Sequence, residues 1–352
     1  MGEAVVARPK PCLVSLKGGK TYFWCACGRS AAQPFCDGSH RDTGIEPRKH
    51  VPKQDEEVLL CGCKQTAQAP FCDGAHTNLP GGSPLDDPDS PANRGIALVT
   101  EREAARVALN GGCYVVSPAL TQRQQRGHLS YAYLVTQALG ARYQTQIHLE
   151  VQGGPSPVMS VDGRDVILFV AAGHGTVDIG ARAFPIDGCV GVYVRAGEAL
   201  RLTPRDSQRL EVFLLACPLG ELSWHESMPL HFDAQYPQRV VAIDAAQRIA
   251  MGPRYFQMLV DKRIGSRVIT QFIGHIPRSK AAPHRHLYEE AIIVLSGEGC
   301  MWTEDRKARV AAGDVIFLPR KQLHSLEATY AAGMDVVGVI CPGDNPSIQY
   351  YD

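Results

Sequence analysis

The sequence predicts a mainly β protein, in which a small cysteine-rich domain precedes two barrels of antiparallel strands. The first observation is composition: the 352-residue chain has 34 glycines and 24 prolines, which suit many short turns better than a helical bundle. The second is a series of short alternating or β-branched runs that follows residue 112 and is interrupted by Gly, Pro and Asp. The third is an internal repeat within that region.

The repeat has an offset of 124 residues and predicts two similar barrels in tandem. VILFVAAGHG in the first half aligns with AIIVLSGEG in the second, which pairs Gly173 with Gly297. At the same offset YVRAGEALRL aligns with LPRKQLHSL and pairs Leu202 with Leu326. Self-similarity at a fixed offset indicates repeated structural units. We therefore predict one barrel over residues 112–235 and a second over residues 236–352.

The part of the chain before the barrels divides into two segments. Residues 11–78 hold the two motifs that contain six of the twelve cysteines, and residues 79–111 begin with a stretch rich in Pro, Asp, Gly and Ser that is typical of a linker. TEREAARVALNG (100–111) predicts a short helix, because a Thr cap and early acidic residues precede an Ala-rich run that ends at Gly-Gly.

Two stretches of the cysteine-rich segment carry the same four potential ligands at the same spacing. The pattern is C-x-C, eight residues, C, three residues, H, and the second copy lies 36 residues after the first. The two sets are Cys25, Cys27, Cys36 and His40, and Cys61, Cys63, Cys72 and His76. Thiolates and imidazoles in such sets bind soft or borderline metals. A structural zinc site uses the same ligands, and visible absorbance distinguishes it from an iron–sulfur cluster.

The segments CACGRSAAQPFCDGSH and CGCKQTAQAPFCDGAH resemble the CDGSH iron–sulfur motif of the NEET family, and more closely its monomeric two-motif members. Ser30 and Pro34 in the first copy, and Thr66 and Pro70 in the second, match further positions of that motif. The resemblance implies one [2Fe–2S] cluster per motif. The C-x-C pair would bind one iron, and the third cysteine with the histidine would bind the other. The Asp after the third cysteine is expected to be a turn residue.

A second set of potential ligands lies in the last barrel. HRHLYEE presents His284, His286 and Glu290, and His324 follows on a later strand. Alternate residues of a strand point to one face, so the first two histidines converge. Three imidazoles and one carboxylate suit Fe(II), Mn(II), Ni or Zn, and open positions on iron suit O₂ chemistry. The sequence therefore predicts one mononuclear divalent metal, for which Fe(II) is favoured.

The spacing of these ligands is similar to that of the cupin superfamily. Its HxH…E…G pattern ends here at Gly297, and GDVIFLPRKQLH resembles its second motif. The resemblance implies double-stranded β-helix (jelly-roll) barrels and a small-molecule substrate, and homodimers are common in the superfamily. At the repeat offset, the four ligands correspond to Ser160, Asp162, Val166 and Leu200. The first barrel is therefore expected to be degenerate and without metal, and its His148 is expected to be isolated.

Residues that line the second barrel are inferred from strand parity. Gln271, Ile273 and His275 share one face of the strand before the histidines, and Tyr288 lies between the ligands. Each of these residues fits ordinary packing as well as substrate contact. Arg278 is a candidate to hold a substrate carboxylate, although a solvated loop arginine is the commoner case.

The presence of clusters and a mononuclear site in one chain suggests that the clusters supply electrons and that the mononuclear site carries out the reaction. The leading hypothesis is a non-haem iron mono- or dioxygenase that acts on a small molecule and O₂, with electrons that the clusters receive from an external donor. In one alternative the barrel is a dioxygenase or isomerase that needs no clusters. In another the chain is a redox-sensing, iron-sensing or cluster-transfer protein whose barrels bind a small ligand.

Charge and hydropathy exclude some partners. Lysine plus arginine equals aspartate plus glutamate, at 36 each, which argues against nucleic acid or an anionic membrane as a partner. The chain has no apolar run of membrane-spanning length, and its N-terminus lacks a long apolar segment. We therefore expect a cytoplasmic protein whose scattered cysteines are mostly small buried residues rather than disulfides.

Overall fold

The computed structural model describes residues 2–351, and most of its regular structure is β. The strands in chain order are β1 (Cys12–Leu16), β2 (Tyr22–Trp24), β3 (Arg48–His50), β4 (Glu56–Leu60), β5 (Leu85–Asp86), β6 (Ala97–Leu98), β7 (Arg106–Ala108), β8 (Tyr114–Val116), β9 (Gln124–Arg126), β10 (Leu129–Val135), β11 (Thr145–Val151), β12 (Val158–Val161), β13 (Asp165–Ala172), β14 (Gly175–Ile179), β15 (Arg182–Ile186), β16 (Val190–Val194), β17 (Leu200–Pro204), β18 (Leu210–Cys217), β19 (Leu222–His225), β20 (Val240–Ala242), β21 (Ile249–Met251), β22 (Arg254–Val260), β23 (Thr270–Ile276), β24 (Ser279–Ala281), β25 (Glu289–Ser296), β26 (Glu298–Trp302), β27 (Arg306–Ala311), β28 (Val315–Leu318), β29 (Ser325–Ala328) and β30 (Met334–Cys341).

Helical structure is limited to short turns. A four-residue helix, α1 (Pro91–Arg94), begins after Ser90, whose side chain accepts a hydrogen bond from the Asn93 amide as an N-cap. Single 3₁₀ turns connect strands at Ala75–Asn78, Asn110–Gly112, Pro118–Leu120, Gln137–Leu139, Arg205–Ser207, Ala245–Gln247 and Lys262–Ile264.

Each barrel is a pair of sheets. The first combines a seven-stranded sheet, in the order β20-β16-β13-β18-β11-β10-β9, with a five-stranded sheet, β15-β14-β17-β12-β19. The second combines an eight-stranded sheet, β21-β22-β23-β30-β25-β28-β8-β7, with a six-stranded sheet, β5-β24-β29-β26-β27-β6. The predicted repeat is confirmed: β13 and β25 begin 124 residues apart, as do β18 and β30. Two small hairpin-like pairs, β1 with β4 and β2 with β3, form the N-terminal domain.

Alternation along β25 separates two buried faces. Ile292 and Val294 face the interior of the second barrel, where they pack with strands of the six-stranded sheet. Ala291 and Ile293 face the other way, into an apolar core that both large sheets share. Because side chains of a strand alternate, Glu290 lies on the interior face with Ile292. Parity of this one strand thus directs a carboxylate into the barrel.

The core between the two large sheets holds the barrels together. Phe169 and Phe213 from the first barrel meet Phe317 and Val337 from the second, and all four side chains are buried. Cys217 and Cys341, at equivalent positions 124 residues apart, form a disulfide there, with their Cα atoms 6.7 Å apart. The expectation that the scattered cysteines are not disulfides is wrong for this pair, because the repeat brings equivalent side chains together at the interface.

Each large sheet includes a strand from the other half of the repeat. β8 lies at the start of the predicted first barrel, yet it pairs with β28 of the second. β20 leads into the second barrel, yet it pairs with β16 of the first. The barrel boundaries at 112–235 and 236–352 remain a prediction, and strand pairing crosses them in both directions.

The expected helix over 100–111 is wrong. Residues 106–108 form β7, which pairs with β8, and Val107 and Leu109 are buried in the second barrel. Gly111 and Gly112 have positive φ angles and turn the chain into β8. Burial of alternate residues against the sheet therefore overrides the helical propensity of the alanines. The linker before this segment lies along the surface of the second barrel. Its strand β5 pairs with β24, and its strand β6 pairs with β27.

Within residues 2–351, every helix is too short to cross a bilayer.

The shared core predicts where the fold is most sensitive. Leu215 is 1% exposed within it, whereas Leu120 is 59% exposed at the surface. Leu215→Ala is expected to lower the free energy of unfolding by about 2–5 kcal/mol, because the lost methyl groups leave a cavity. The matched Leu120→Ala change is expected to stay within about 0.5 kcal/mol. Urea unfolding followed by circular dichroism measures both, and equal effects would contradict the packing described.

Candidate metal centres

The two cysteine motifs have the same local structure. β2 ends at Trp24 and leads into the first C-x-C, as β4 ends at Leu60 before the second. The Cys25 amide donates to the Pro34 carbonyl, and the Cys61 amide donates to the Pro70 carbonyl, each at 2.9 Å. These bonds fold the loop back so that the third cysteine of each motif returns beside the first two.

In each motif a hydroxyl and a carboxylate shape the turn. The hydroxyls of Ser30 and Thr66 donate to the carbonyls of Phe35 and Phe71 at 2.6 and 2.7 Å. Asp37 accepts from the amides of Ala31 and Ser39, and hydrogen bonds from the Ser39 side chain and backbone lower its pKa. Asp73 accepts the corresponding bonds from Ala67 and Ala75. Both aspartates therefore stabilise turns.

The predicted cluster ligands converge within each motif. Cys25 Sγ lies 3.7 Å from Cys27 Sγ, and Cys36 Sγ lies 3.1 Å from His40 Nδ1. In the second motif the same separations are 3.5 Å between the sulfurs of Cys61 and Cys63 and 3.4 Å between Cys72 Sγ and His76 Nδ1. The ligands thus form a Cys–Cys pair and a Cys–His pair that uses Nδ1, a donor set that suits a binuclear iron–sulfur cluster.

The two histidines differ in exposure. The His40 side chain is 20% exposed, with its Nε2 3.7 Å from Glu46 Oε2 at the surface. His76 is buried, its Nε2 has no hydrogen-bond partner, and burial lowers its pKa to about 4. Cys72 is likewise more buried than Cys36. The first motif therefore faces solvent, and the second is covered by the barrel.

A buried lysine lies between the motifs. Lys64 adopts a left-handed φ of 65°, donates from Nζ to the Cys61 carbonyl at 3.0 Å and lies 4.7 Å from the Trp24 ring centroid. Burial lowers its pKa, whereas the nearby thiols of Cys25 and Cys61 raise it. This cation offsets part of the negative charge that two thiolate-ligated clusters would carry.

The ligand set of the second barrel comes from two adjacent segments. His284 and His324 form a bridge between the stretch before β25 and the stretch before β29, with reciprocal backbone bonds of 3.0 and 3.1 Å. Glu290 comes from the interior face of β25. One ligand atom each from His286, Glu290 and His324 lies within 4.8 Å of the others. His284 lies beside this group rather than in it, with its ring centroid 4.4 Å from that of His324.

Backbone carbonyls orient all three histidine rings. Nδ1 of His284 lies 2.9 Å from the Ala282 carbonyl, Nδ1 of His286 lies 3.0 Å from that of Tyr288, and Nδ1 of His324 lies 2.8 Å from that of Gln322. A carbonyl only accepts, so each Nδ1 carries a proton, and the neutral form of each ring presents its lone pair on Nε2. Such hydrogen bonds are the usual support for histidine that binds metal through Nε2.

Burial keeps the site in the form that binds metal. It lowers the pKa of His284 to about 3, and burial followed by the neighbouring imidazoles lowers that of His324 well below its usual value. Nε2 of His286 is 3.0 Å from Glu290 Oε2, but the contact lacks hydrogen-bond geometry and leaves this buried nitrogen without a partner. Buried, deprotonated nitrogens beside a carboxylate fit a divalent cation.

Three of the four candidate metal ligands, His284, Glu290 and His324, border a cavity of about 80 Å³. Of the residues inferred from parity, His275 and Tyr288 line it, and the Tyr288 ring stacks on His286 at 4.1 Å. Gln271 and Ile273 do not, because they face the first barrel: Ile273 packs against the shared core. Strand parity does not predict the cavity lining here. Both faces of β23 are covered by protein, so the alternation of side chains does not show which face points to the cavity. Arg278 is exposed and lies outside the cavity.

Sequence reasoning missed another arginine. Arg254, at the start of β22, lines the cavity together with His284 and His324. Comparison of the two barrels identifies it. The pairing of β22 with β23 has a bulge at the same place as the pairing of β10 with β11, at an offset of 125 residues. This offset aligns Arg254 with Leu129.

The first barrel has apolar side chains where the second has ligands. Val166 and Leu200 stand at the positions of Glu290 and His324 and pack in the barrel interior. Ser160, at the position of His284, bonds to Asp162 at 2.7 Å.

His148 is not isolated, contrary to expectation. Its Nδ1 accepts from Arg123 at 2.8 Å and its Nε2 lies 2.9 Å from Glu211, so both ring nitrogens are engaged. Arg209 Nη2 donates to Glu150 and Glu211 at 2.7 and 3.2 Å. Although these acidic groups and His148 lie close enough for a cation, the arginines already neutralise them. The group is an ion-pair network.

Two family models match parts of the chain, the first cysteine motif and the second barrel. The family model described as an iron-binding zinc finger of CDGSH type matches residues 5–41, and the cupin domain model matches residues 275–340. The chain thus carries a CDGSH iron–sulfur segment followed by a mainly β region that contains a cupin domain.

Individual relatives match each part separately. CDGSH iron-sulfur domain-containing protein 3, mitochondrial, from Homo sapiens is 52% identical over 58 residues, which are 16% of this chain and 46% of that protein. The chain therefore spans less than half the length of the curated relative. The crystal structure of protein Ylba from E. coli is similar with a TM-score of 0.53 and 17% identity, over 70% of this chain and 96% of that one.

A further solved structure limits what the fold implies. Oxalate decarboxylase from Lactobacillus farciminis, as its formate complex, is similar with a TM-score of 0.52 and 12% identity, over 65% of this chain and 86% of that one. Identities this low show the fold alone, and function depends on the residues of the site.

The barrel ligands predict a specific loss of metal. His324→Gln is expected to weaken Mn(II) binding by at least about 100-fold, since it removes a ligand whose orientation is fixed. His174→Gln changes an exposed histidine of the first barrel and serves as the matched control. Bound manganese is counted by elemental analysis, so iron elsewhere does not interfere. Equal manganese in both variants would contradict the assignment.

Proposed function

We propose that this chain is a non-haem iron oxygenase that acts on a small molecule and O₂, with electrons from fused NEET-type [2Fe–2S] clusters. His284, His286, Glu290 and His324 would hold one divalent metal, for which Fe(II) is favoured. Each cysteine motif would hold one cluster, which supplies electrons singly when bound. The observation that supports the proposal is the direct packing of the second motif against the barrel, beside these ligands.

That packing is apolar at its centre. Cys72 lies in one buried cluster with Leu59, Ile348 and Tyr350, and Leu287 packs against the same cluster. Leu287 directly follows the ligand His286 in the chain. The apolar cluster that contains Cys72 therefore extends to the residue beside His286, and a short path of this kind is what electron transfer between two centres requires.

Polar contacts hold the same surfaces together. The Asn345 side chain donates from Nδ2 to the Asp73 carbonyl at 3.0 Å, next to Cys72. Backbone bonds of 2.8 and 2.9 Å join Arg285 and Tyr350 in both directions, which ties the C-terminal segment to the ligand loop. Lys321 forms an ion pair with Glu57 of β4. The second motif is therefore held on the barrel by apolar packing, by a hydrogen bond and by an ion pair.

The first motif supports entry of electrons from outside. His40 is partly exposed, and Phe23 nearby is 48% exposed. An external donor could dock at this surface and reduce the first motif, from which electrons would pass to the second motif and then to the barrel. We propose a cytoplasmic location for this activity, whereas the curated relative is named as a mitochondrial protein.

The exposed His40 also favours a second function, in which the chain senses redox state or transfers a cluster and the barrels bind a ligand. A cluster whose histidine reaches solvent is open to protonation and release. Transfer from the first motif to an acceptor protein, with no electron transfer to the barrel, would favour this function.

Two matched cysteine variants test the number of clusters. Cys36→Ser and Cys72→Ser each remove one ligand from one motif and are each expected to halve cluster iron and visible absorbance, because the motifs bind separately. Iron analysis and absorption spectra of protein purified without oxygen measure both. If Cys72→Ser left the spectrum unchanged, the second motif would hold no cluster, and zinc would be the alternative.

The same variants test electron delivery to the barrel. Protein with oxidised barrel iron is mixed without oxygen with a limiting amount of dithionite, and freeze-quenched samples are followed by electron paramagnetic resonance. The ferric signal of the barrel is expected to decay rapidly in the wild type and in Cys36→Ser, and slowly in Cys72→Ser. His324→Gln, which should lack barrel iron, identifies the signal. Equal decay in wild type and Cys72→Ser would overturn the relay.

A further inference from the structure

The cavity beside the barrel ligands contains a cation, Arg254, that has no acidic partner in the part of the chain that the structure describes. Arg254 donates from Nη2 to the Leu326 carbonyl at 3.3 Å, but its Nε is buried and has no hydrogen-bond partner. Burial lowers its pKa to about 10, so the guanidinium still carries its charge at neutral pH. A buried charge and an unpaired buried donor are both costly unless something compensates them.

Within residues 2–351, which the structure describes, Arg254 forms no ion pair with an acidic side chain. Among the residues that line the cavity, Glu290 is the acidic one, and its carboxylate contacts His286 and belongs to the metal site. Asp335, the nearest acid to cavity residue His275, pairs with that histidine and lies outside the lining. With a divalent metal bound, Glu290 and Arg254 would leave a net charge of about +2 in the site. The pocket is thus built for an anion.

Comparison with the first barrel indicates that Arg254 is not required for packing. At the equivalent position of the first barrel, Leu129 is fully buried in the apolar interior. Glu290 and His324 likewise have apolar equivalents in the first barrel, Val166 and Leu200. A leucine therefore suffices for the fold at this position, and the arginine occurs in the barrel that has the metal ligands.

We propose that Arg254 binds the carboxylate of the substrate, and that the substrate is a short aliphatic carboxylate whose other end lies at the metal ligands. Nε–H and the second proton of Nη2 form one edge of the guanidinium, the geometry that holds a carboxylate through two parallel hydrogen bonds. This inference rests on the proposed function for the identity of the site, but carboxylate binding by Arg254 is independent of oxygen chemistry.

Cavity size and lining define the remainder of the ligand. An engineered cavity of about 150 Å³ holds benzene, and this one is about 80 Å³. Phe256, Phe272 and Val336 make much of its wall apolar. The volume and the apolar wall therefore favour an acid with a short chain that carries no further charged group.

Binding of propionate to the full chain tests the proposal. Propionate is titrated calorimetrically into Mn(II)-loaded protein and into metal-free protein, with propionamide as the neutral analogue and benzoate as the oversized one. The wild type is expected to bind propionate about 10- to 100-fold more tightly than propionamide, since the amide cannot make charge-assisted hydrogen bonds.

Variants at two arginines complete the test. Arg254→Met, of similar length, is expected to lose that preference, and Arg254→Lys to retain part of it. Arg278→Met, an exposed position outside the cavity, should match the wild type. Manganese content and circular dichroism confirm that each variant is folded. Equal binding of propionate by Arg254→Met and wild type, or of propionate and propionamide by wild type, would overturn the proposal.

The two proposals fail separately. If manganese does not bind but metal-free protein still discriminates propionate from propionamide through Arg254, the metal site fails and the carboxylate site stands. If manganese binds and Arg254→Met changes nothing, the carboxylate site fails and the metal site stands.

Discussion

Apolar packing between the two large sheets is the constraint on which the rest of the molecule depends. It occupies one face of β25, which commits the alternate face, and Glu290 with it, to the barrel interior. It also fixes β30, from which the chain continues to Ile348 and Tyr350 and covers Cys72. One buried interface thus determines both where the barrel carboxylate points and where the second cysteine motif is held.

The two barrels divide stability and chemistry between them. The first is filled with aliphatic side chains, including Val166 and Leu200, and gains the full benefit of burying them. At equivalent positions the second barrel buries less apolar surface and gains less stability, because imidazoles, a carboxylate and Arg254 border a cavity there. Buried polar groups of this kind are unfavourable in isolation. The adjoining barrel supports them, because it supplies apolar area that the second barrel lacks.

Local spacing was enough to predict the β architecture and the repeat. It also indicated which candidate ligands would lie close together, because C-x-C and H-x-H patterns place side chains within a few residues of one another. Three features depended on tertiary packing instead. The alanines of residues 100–111 favour a helix, but burial of Val107 makes a strand. β23 is covered on both faces, so alternation does not reveal which residues line the cavity. Arg254 lies far from any motif, and only alignment of the strands across the repeat reveals that it replaces Leu129.

The crossed pairing of β8 and β20 bears on the ancestry of the molecule. Each half lends its leading strand to the sheet of the other, which is the arrangement of two identical subunits with swapped N-terminal arms. Gene duplication and fusion of such a dimer would yield this topology directly, since the arms are already exchanged before the subunits are joined. In such a fused pair the two barrels stay together even where only one of them carries the candidate metal ligands.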